Sequence, residues 1–218
     1  MYRYNPEIRK AIEAVAKGEL GTIYSVEAQM NCEHPLPKKQ WLSRFPGGMM
    51  FFLGCHLIDL IYRLQGEPME VVPLNTCTDQ NIIRADDLGM TVFQYKEGVS
   101  FVKVCDSEPG GFSRRQIVIC GTKGTIEIRP IEKWLSDNIF SYNGCIDRKN
   151  MSSAVRKVTE TGNWFADAEF IQSAGFNRYD AMMENFAERI NGTIEQVYTY
   201  DYELNLYRLL LKACGIKL

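Results

Sequence analysis

The sequence predicts an α+β domain in which an open, mostly antiparallel mixed β-sheet carries helices packed on one face. Three observations predict it. Five short runs rich in Val, Ile, Phe and Thr follow one another between Met69 and Arg129, and two of the links between them are tight turns. Helical periodicity appears only at the start, in one central stretch and at the C-terminal end. A hydrophobic content of 45% over 218 residues can fill one sizeable core, so a single domain over 1–218 is expected.

In chain order, Asn5-Pro6 opens a helix, with Asn as the cap and Pro at the first helical position. Ile8, Ala11, Ile12 and Val15 mark its apolar face, and Gly18 ends it. Gly21 starts a strand with Tyr24, Val26, Ala28 and Met30 on one side and Ser25, Glu27 and Gln29 on the other. Asn31 to Arg44 reads as a loop, because Pro35, Pro37 and several charges interrupt any period. The later strands are Met69 to Thr78, Leu88 to Tyr95, Val99 to Asp106, Arg115 to Cys120 and Thr125 to Arg129. Tyr95-Lys-Glu-Gly98 and Gly121-Thr-Lys-Gly124 join neighbours as hairpins, so a meander is the expected wiring. Ile131 to Gly175 holds one or two further strands, including Ala154 to Glu160. Two helices close the chain. Tyr179, Met182, Met183, Phe186 and Ile190 line the first, while Thr199 caps a second lined by Leu206, Leu209, Leu210 and Ala213.

The chemistry points to the central stretch, Phe45-Pro-Gly-Gly-Met-Met-Phe-Phe-Leu-Gly-Cys-His-Leu-Ile-Asp-Leu-Ile-Tyr-Arg-Leu-Gln-Gly66. Its Gly pair admits a backbone that a Cβ would forbid, and Gly66 supplies the stop. Leu53, Leu57, Leu60 and Leu64 recur at helical spacing. Beside them run Phe52, His56, Asp59 and Arg63, so a rigid element presents one imidazole with a carboxylate one turn on, which is how a proton-transferring His is held. A satisfied core or interface His is the alternative. Trp41 and Arg44 precede the Gly pair. A Trp can stack on a sugar face and an Arg can fork onto hydroxyls, although a packed Trp and a solvated Arg fit equally well. Arg3 has the same two readings, and Asn5 is explained by capping alone.

The run Gly-Gly-x-x-x-x-x-Gly-x-His-x-x-Asp resembles the signature in the C-terminal domain of the glucose-fructose oxidoreductase/inositol dehydrogenase/rhizopine catabolism (Gfo/Idh/MocA) family. The start at Arg3-Tyr-Asn-Pro6, the Gly121-Thr-Lys-Gly124-Thr-Ile turn and the final helices at Asn185 and Asp201 are similar to further landmarks of that domain. The resemblance implies the substrate-binding and oligomerisation domain of an oxidoreductase using NAD or NADP on sugars, cyclitols or related polyols. It also implies that one sheet face is a subunit interface. By the same resemblance His56 lines the site and assists proton transfer, while Gly47, Gly48, Gly54 and Asp59 match the signature's other positions. The family's catalytic Asp would fall at position 52, where this chain has Phe52.

No G-x-G-x-x-G occurs, so the chain alone is expected to bind no NAD or NADP; the family's dinucleotide domain, which carries its Glu-Lys-Pro motif, would lie before Met1. Glu132-Lys133-Trp134 is only an echo of that motif, with Lys133 expected in solvent. With 25 Lys and Arg against 27 Asp and Glu, and no basic block, nucleic acid is not an expected partner, and no apolar run suits a membrane. A sugar-like small molecule and a homodimer or higher homo-oligomer formed through the sheet are the expected partners. Cys32, Cys55, Cys77, Cys105, Cys120, Cys145 and Cys214 form no C-x-x-C pair, which fits reduced thiols in the cytoplasm and gives the sequons at Asn150 and Asn191 no meaning. Cys32-x-His34 and Cys55-His56 hint at metal ligands, but with two His and no closing thiols no metal site is expected.

Overall fold

The computed structural model describes residues 1–135, 151–159, 162–195 and 198–217. The expectations for Cys145, Asn150 and Glu160 fall outside that set. The elements, in order, are α1 (Pro6–Ala16), β1 (Ile23–Asn31), α2 (Leu36–Leu42), α3 (Cys55–Gln65), β2 (Glu70–Thr76), β3 (Leu88–Tyr95), β4 (Gly98–Cys105), β5 (Gln116–Gly121), β6 (Gly124–Ile128), β7 (Lys133–Trp134), β8 (Met151–Ser152), β9 (Ala154–Thr159), β10 (Glu169–Gln172), α4 (Asp180–Ile190) and α5 (Tyr200–Ala213). Short 3₁₀ turns at Tyr2–Tyr4 and Gly111–Arg114 and a π-helical turn at Met50–Gly54 complete it.

The end signals act as their chemistry requires. The Asn5 side chain accepts from the Glu7 and Ile8 amides, and Thr199 accepts from the Tyr202 amide, so each cap satisfies donors that have no partner inside the helix. Pro37 overturns the expected loop at 31–44. It lies in the first turn of α2, where a missing N–H costs nothing, and Pro35 in extended conformation leads the chain in.

Eight strands form one open sheet in the order β10-β9-β6-β5-β1-β4-β3-β2, and every pair is antiparallel except β1 with β4. The hairpins β3-β4 and β5-β6 lie where expected, but the simple meander does not. β1 separates the two hairpins and lies parallel to β4, in register from Glu27 opposite Phe101 to Asn31 opposite Cys105. A register shift between Ile23 and Ser25 also corrects the expected facing of β1. The irregularity turns Tyr24 outward, 45% exposed, while Val26, Ala28 and Met30 are fully buried.

The core lies between the sheet and α1, α3 and α5. Leu57, Ile58, Leu60 and Ile61 of α3 are fully buried, and burial of each stabilises the fold by about 1.5–3 kcal/mol. The opposite sheet face is more open. Val72 and Leu74 on β2 and Val99 on β4 are exposed, next to partly buried Met90, Val92 and Phe101. α4 forms where expected, but its apolar face is open. None of its residues is buried, and Tyr179, Met183, Phe186 and Ile190 are at least half exposed.

Candidate functional site

The chain enters α3 through a constrained turn. Gly47 and Gly48 have φ of +75° and +47°, in the left-handed region that L side chains resist. A Cβ on Gly48 would stand 2.3 Å from the carbonyl oxygen of Asp86, which accepts the Met49 amide at 2.7 Å. The π-helical turn at Met50–Gly54 then widens the helix by one residue just before Cys55, and such turns often accompany functional sites. The result carries Phe52, Leu53 and His56 into the wall of a cleft of about 540 Å³.

His56 is partly buried in that wall, with the Tyr2 ring edge-on at 5.7 Å. Burial pushes its pKa down to about 4, so the ring is neutral at pH 7. A neutral imidazole can accept a hydrogen bond from a hydroxyl and donate one to its neighbour. The carboxylate one turn on makes no hydrogen bond to it among the described residues. Asp59 takes a bidentate pair from Arg3, at 2.6 and 2.7 Å, and a hydrogen bond from the Tyr202 hydroxyl at 3.0 Å.

Arg3 is occupied on every side. It also reaches Glu203 at 2.8 Å and stacks on the Tyr198 ring at 3.9 Å, so it ties the chain's start to α3 and α5 and does not line the cleft. Trp41 packs edge-on against Phe45 and Phe52, at 4.6 and 5.5 Å, behind the cleft rather than in its lining. Arg44 is exposed and likewise absent from the lining. Of the four residues singled out in the sequence, His56 is the one the cleft contains.

The cleft also holds groups that sequence spacing did not bring together. His34 lines it, so both histidines of the chain face one space. The Nε2 of His34 accepts from the Lys38 ammonium at 2.8 Å, and its Nδ1 therefore carries the proton donated to Asp106. Arg115 and Arg178 form another wall. Behind them Glu132, 1% exposed, accepts from the Tyr2 hydroxyl at 2.5 Å, from Arg115 at 2.8 Å and from Arg178 at 2.9 Å. Glu132, in the sequence only an echo of the Glu-Lys-Pro motif, is the buried centre of this cluster, while Lys133 beside it is exposed as expected. A lone Glu among apolar residues gives no sign of the two Arg, 17 residues before it and 46 after it, that neutralise it. A larger hollow of about 630 Å³ lies at the other end of α3 by Leu64 and Gln65, and neither histidine borders it.

The structure is an α+β domain in which helices back an open sheet and both histidines border one cleft. Residues 8–127 match the model of the GFO/IDH/MocA C-terminal domain, and the chain belongs to that family. Among solved structures it is similar to aldose-aldose oxidoreductase from Caulobacter crescentus complexed with glycerol, at 18% identity and TM-score 0.72, covering 100% of this chain and 62% of that one. A Thermotoga maritima protein designated an oxidoreductase aligns at 18% identity and TM-score 0.69, covering 98% and 59%. A Desulfitobacterium hafniense protein designated an NADPH-dependent oxidoreductase aligns at 19% identity and TM-score 0.68, covering 95% and 58%. At these identities the likeness establishes the shared fold, and this chain spans about three fifths of those proteins. No curated protein matches the sequence.

Proposed function

We propose that this chain is the substrate-binding and oligomerisation domain of an NAD- or NADP-dependent oxidoreductase acting on a sugar, cyclitol or related polyol, and that it is inactive alone. The observation carrying this reading is the cleft that receives His56 from a glycine-framed helix, at the position where the family holds its proton-transferring imidazole. The neutral ring can orient a substrate hydroxyl and take its proton, and His34 offers a second imidazole across the same space. The Caulobacter neighbour, which is named for aldoses and holds glycerol, supports a polyhydroxyl ligand. In the intact family enzyme the nicotinamide supplies the hydride chemistry. This chain has no G-x-G-x-x-G turn to seat a pyrophosphate, so its own part is to bind and orient the substrate.

Phe52 supports a second reading. It stands in the cleft wall where the family has a carboxylate, which suits a ligand-binding or dimerisation module without catalysis. Calorimetric titration tests the first reading. Aldoses or polyols are expected to bind in the millimolar range, roughly −4 kcal/mol, with His56→Ala weakening them about tenfold, and NAD(H) is expected to give no heat. Micromolar NAD(H) binding would refute the domain assignment.

The open sheet face with Val72, Leu74 and Val99 supports a homodimer or higher homo-oligomer. Sedimentation should give a dimer or larger that Val99→Lys dissociates, and a monomer at high concentration contradicts it. Work in the cytoplasm is supported by six free cysteines among the described residues; recovery of the protein from a secreted fraction would oppose it.

A further inference from the structure

The parallel pairing of β1 with β4 has a chemical consequence at the end where both strands exit. Cys32 continues the ladder by donating its amide to the Cys105 carbonyl at 2.8 Å, and the His34 amide reaches the Asp106 carbonyl at 3.3 Å. A β-bridge between Glu33 and Ser107 fixes the two exits side by side. Cys32, His34 and Asp106 are thereby gathered although 74 residues separate the first from the last. Their Sγ, Nδ1 and carboxylate oxygen atoms all lie within 4.8 Å of one another.

We propose that Cys32, His34 and Asp106 form a binding site for a divalent transition-metal ion of the zinc type, with a fourth coordination position open to the cleft. The donor set of thiolate sulfur, imidazole nitrogen and carboxylate oxygen is that of zinc, and three protein ligands beside a cavity make a site that can take a water or a ligand hydroxyl. The spacing agrees. Sγ lies 3.5 Å from Nδ1 and 3.3 Å from the nearer Asp106 oxygen, against tetrahedral edges of roughly 3.4–3.6 Å that follow from usual zinc bond lengths. The third, between His34 Nδ1 and Asp106, is a closer hydrogen-bond contact that must open to admit the ion.

A second observation concerns the carboxylate of the same cluster. Asp106 is completely buried, and its Oδ2 has no hydrogen-bond partner. A buried carboxylate short of partners costs about 1–3 kcal/mol or more, and an ion held by its Oδ1, the oxygen that faces Cys32 and His34, would offset the charge that the carboxylate carries. The proton balance is simple. The Cys32 thiol gives its proton to solvent and becomes a thiolate. His34 stays neutral but moves its remaining proton from Nδ1 to Nε2, and the Lys38 ammonium withdraws from Nε2. One proton is released per ion, and the thiolate and carboxylate together neutralise the divalent charge. The three ligands come from two distant segments, so no motif of fixed spacing announces them, and counting histidines along the sequence argued against any metal.

The test is titration of chelator-treated full chain with Co²⁺ and Zn²⁺. One equivalent of Co²⁺ should produce a thiolate charge-transfer absorption in the near ultraviolet, and Zn²⁺ should displace it with release of one proton per ion. Cys32→Ser should abolish the absorption, and Asp106→Asn should weaken Zn²⁺ binding by about 100-fold, whereas Cys120→Ser should change neither. Should the ligand variants fail to fold, Lys38→Met still decides the matter, since removing the competing ammonium should tighten Zn²⁺ binding severalfold. No stoichiometric uptake by the wild-type chain, an absorption that survives Cys32→Ser, or binding indifferent to Lys38→Met would overturn the site. None of these readouts depends on what organic molecule the cleft accepts.

Discussion

Replacing Glu132 with Gln is expected to destabilise the chain by about 3–5 kcal/mol, because it removes the one carboxylate set between the Arg115 and Arg178 guanidinium groups in a nearly water-free setting. Glu132 is 1% exposed and Arg115 7% exposed, so solvent cannot replace the lost charge. Gln would keep a hydrogen bond to the Tyr2 hydroxyl but could offer only one carbonyl oxygen where three donors now converge. Urea unfolding measures the effect, with Lys133→Gln as the control. Lys133 is exposed next door, and its replacement should stay within roughly 0.5 kcal/mol. A loss under about 1 kcal/mol for Glu132→Gln would mean that water reaches the cluster and that the wall of the cleft is not rigid.

Gly48→Ala is expected to cost about 2–4 kcal/mol. Two penalties combine there. The backbone sits at φ +47°, and the new methyl would press to 2.3 Å from the Asp86 carbonyl oxygen, a backbone atom already tied to the Met49 amide. Gly18 separates the two, since it has φ +74° but open space around its missing Cβ. Gly18→Ala should therefore show only the conformational share, about 1–2 kcal/mol. The excess at Gly48 measures how tightly the turn holds the start of α3, and through it the position of His56. Equal losses in the two variants would show that the turn relaxes freely, and the helix would then be a poor frame for an imidazole.

What the sequence disclosed and what it hid follow one physical division. Local signals were legible. The Asn5 and Thr199 caps, the two β-hairpin turns, the Gly pair and the buried leucines of α3 depend on neighbours within a few residues, and each appears where its chemistry places it. Pro37 misled because the same ring that breaks a helix interior is welcome in a first turn, and nothing nearby announces which position it will take. Non-local pairings were not legible. The insertion of β1 beside β4, the capture of Asp59 by Arg3 and the convergence of Arg115 and Arg178 on Glu132 each join residues far apart in the chain. The candidate site divides in the same way. His56 could be found from its own helix, whereas His34 became a member of the cleft only once β1 lay parallel to β4.

The account rests on ligand binding beside His56, and the chain's having only two histidines, both in the cleft wall, makes this directly observable. The measurement is proton–carbon NMR of the two imidazoles during titration with an aldose or polyol. Both resonances should move together and saturate, and in the free chain one of them should titrate near pH 4, as the buried His56 ring requires. A titration that saturates while both imidazole signals stay fixed would place the ligand elsewhere and contradict the account.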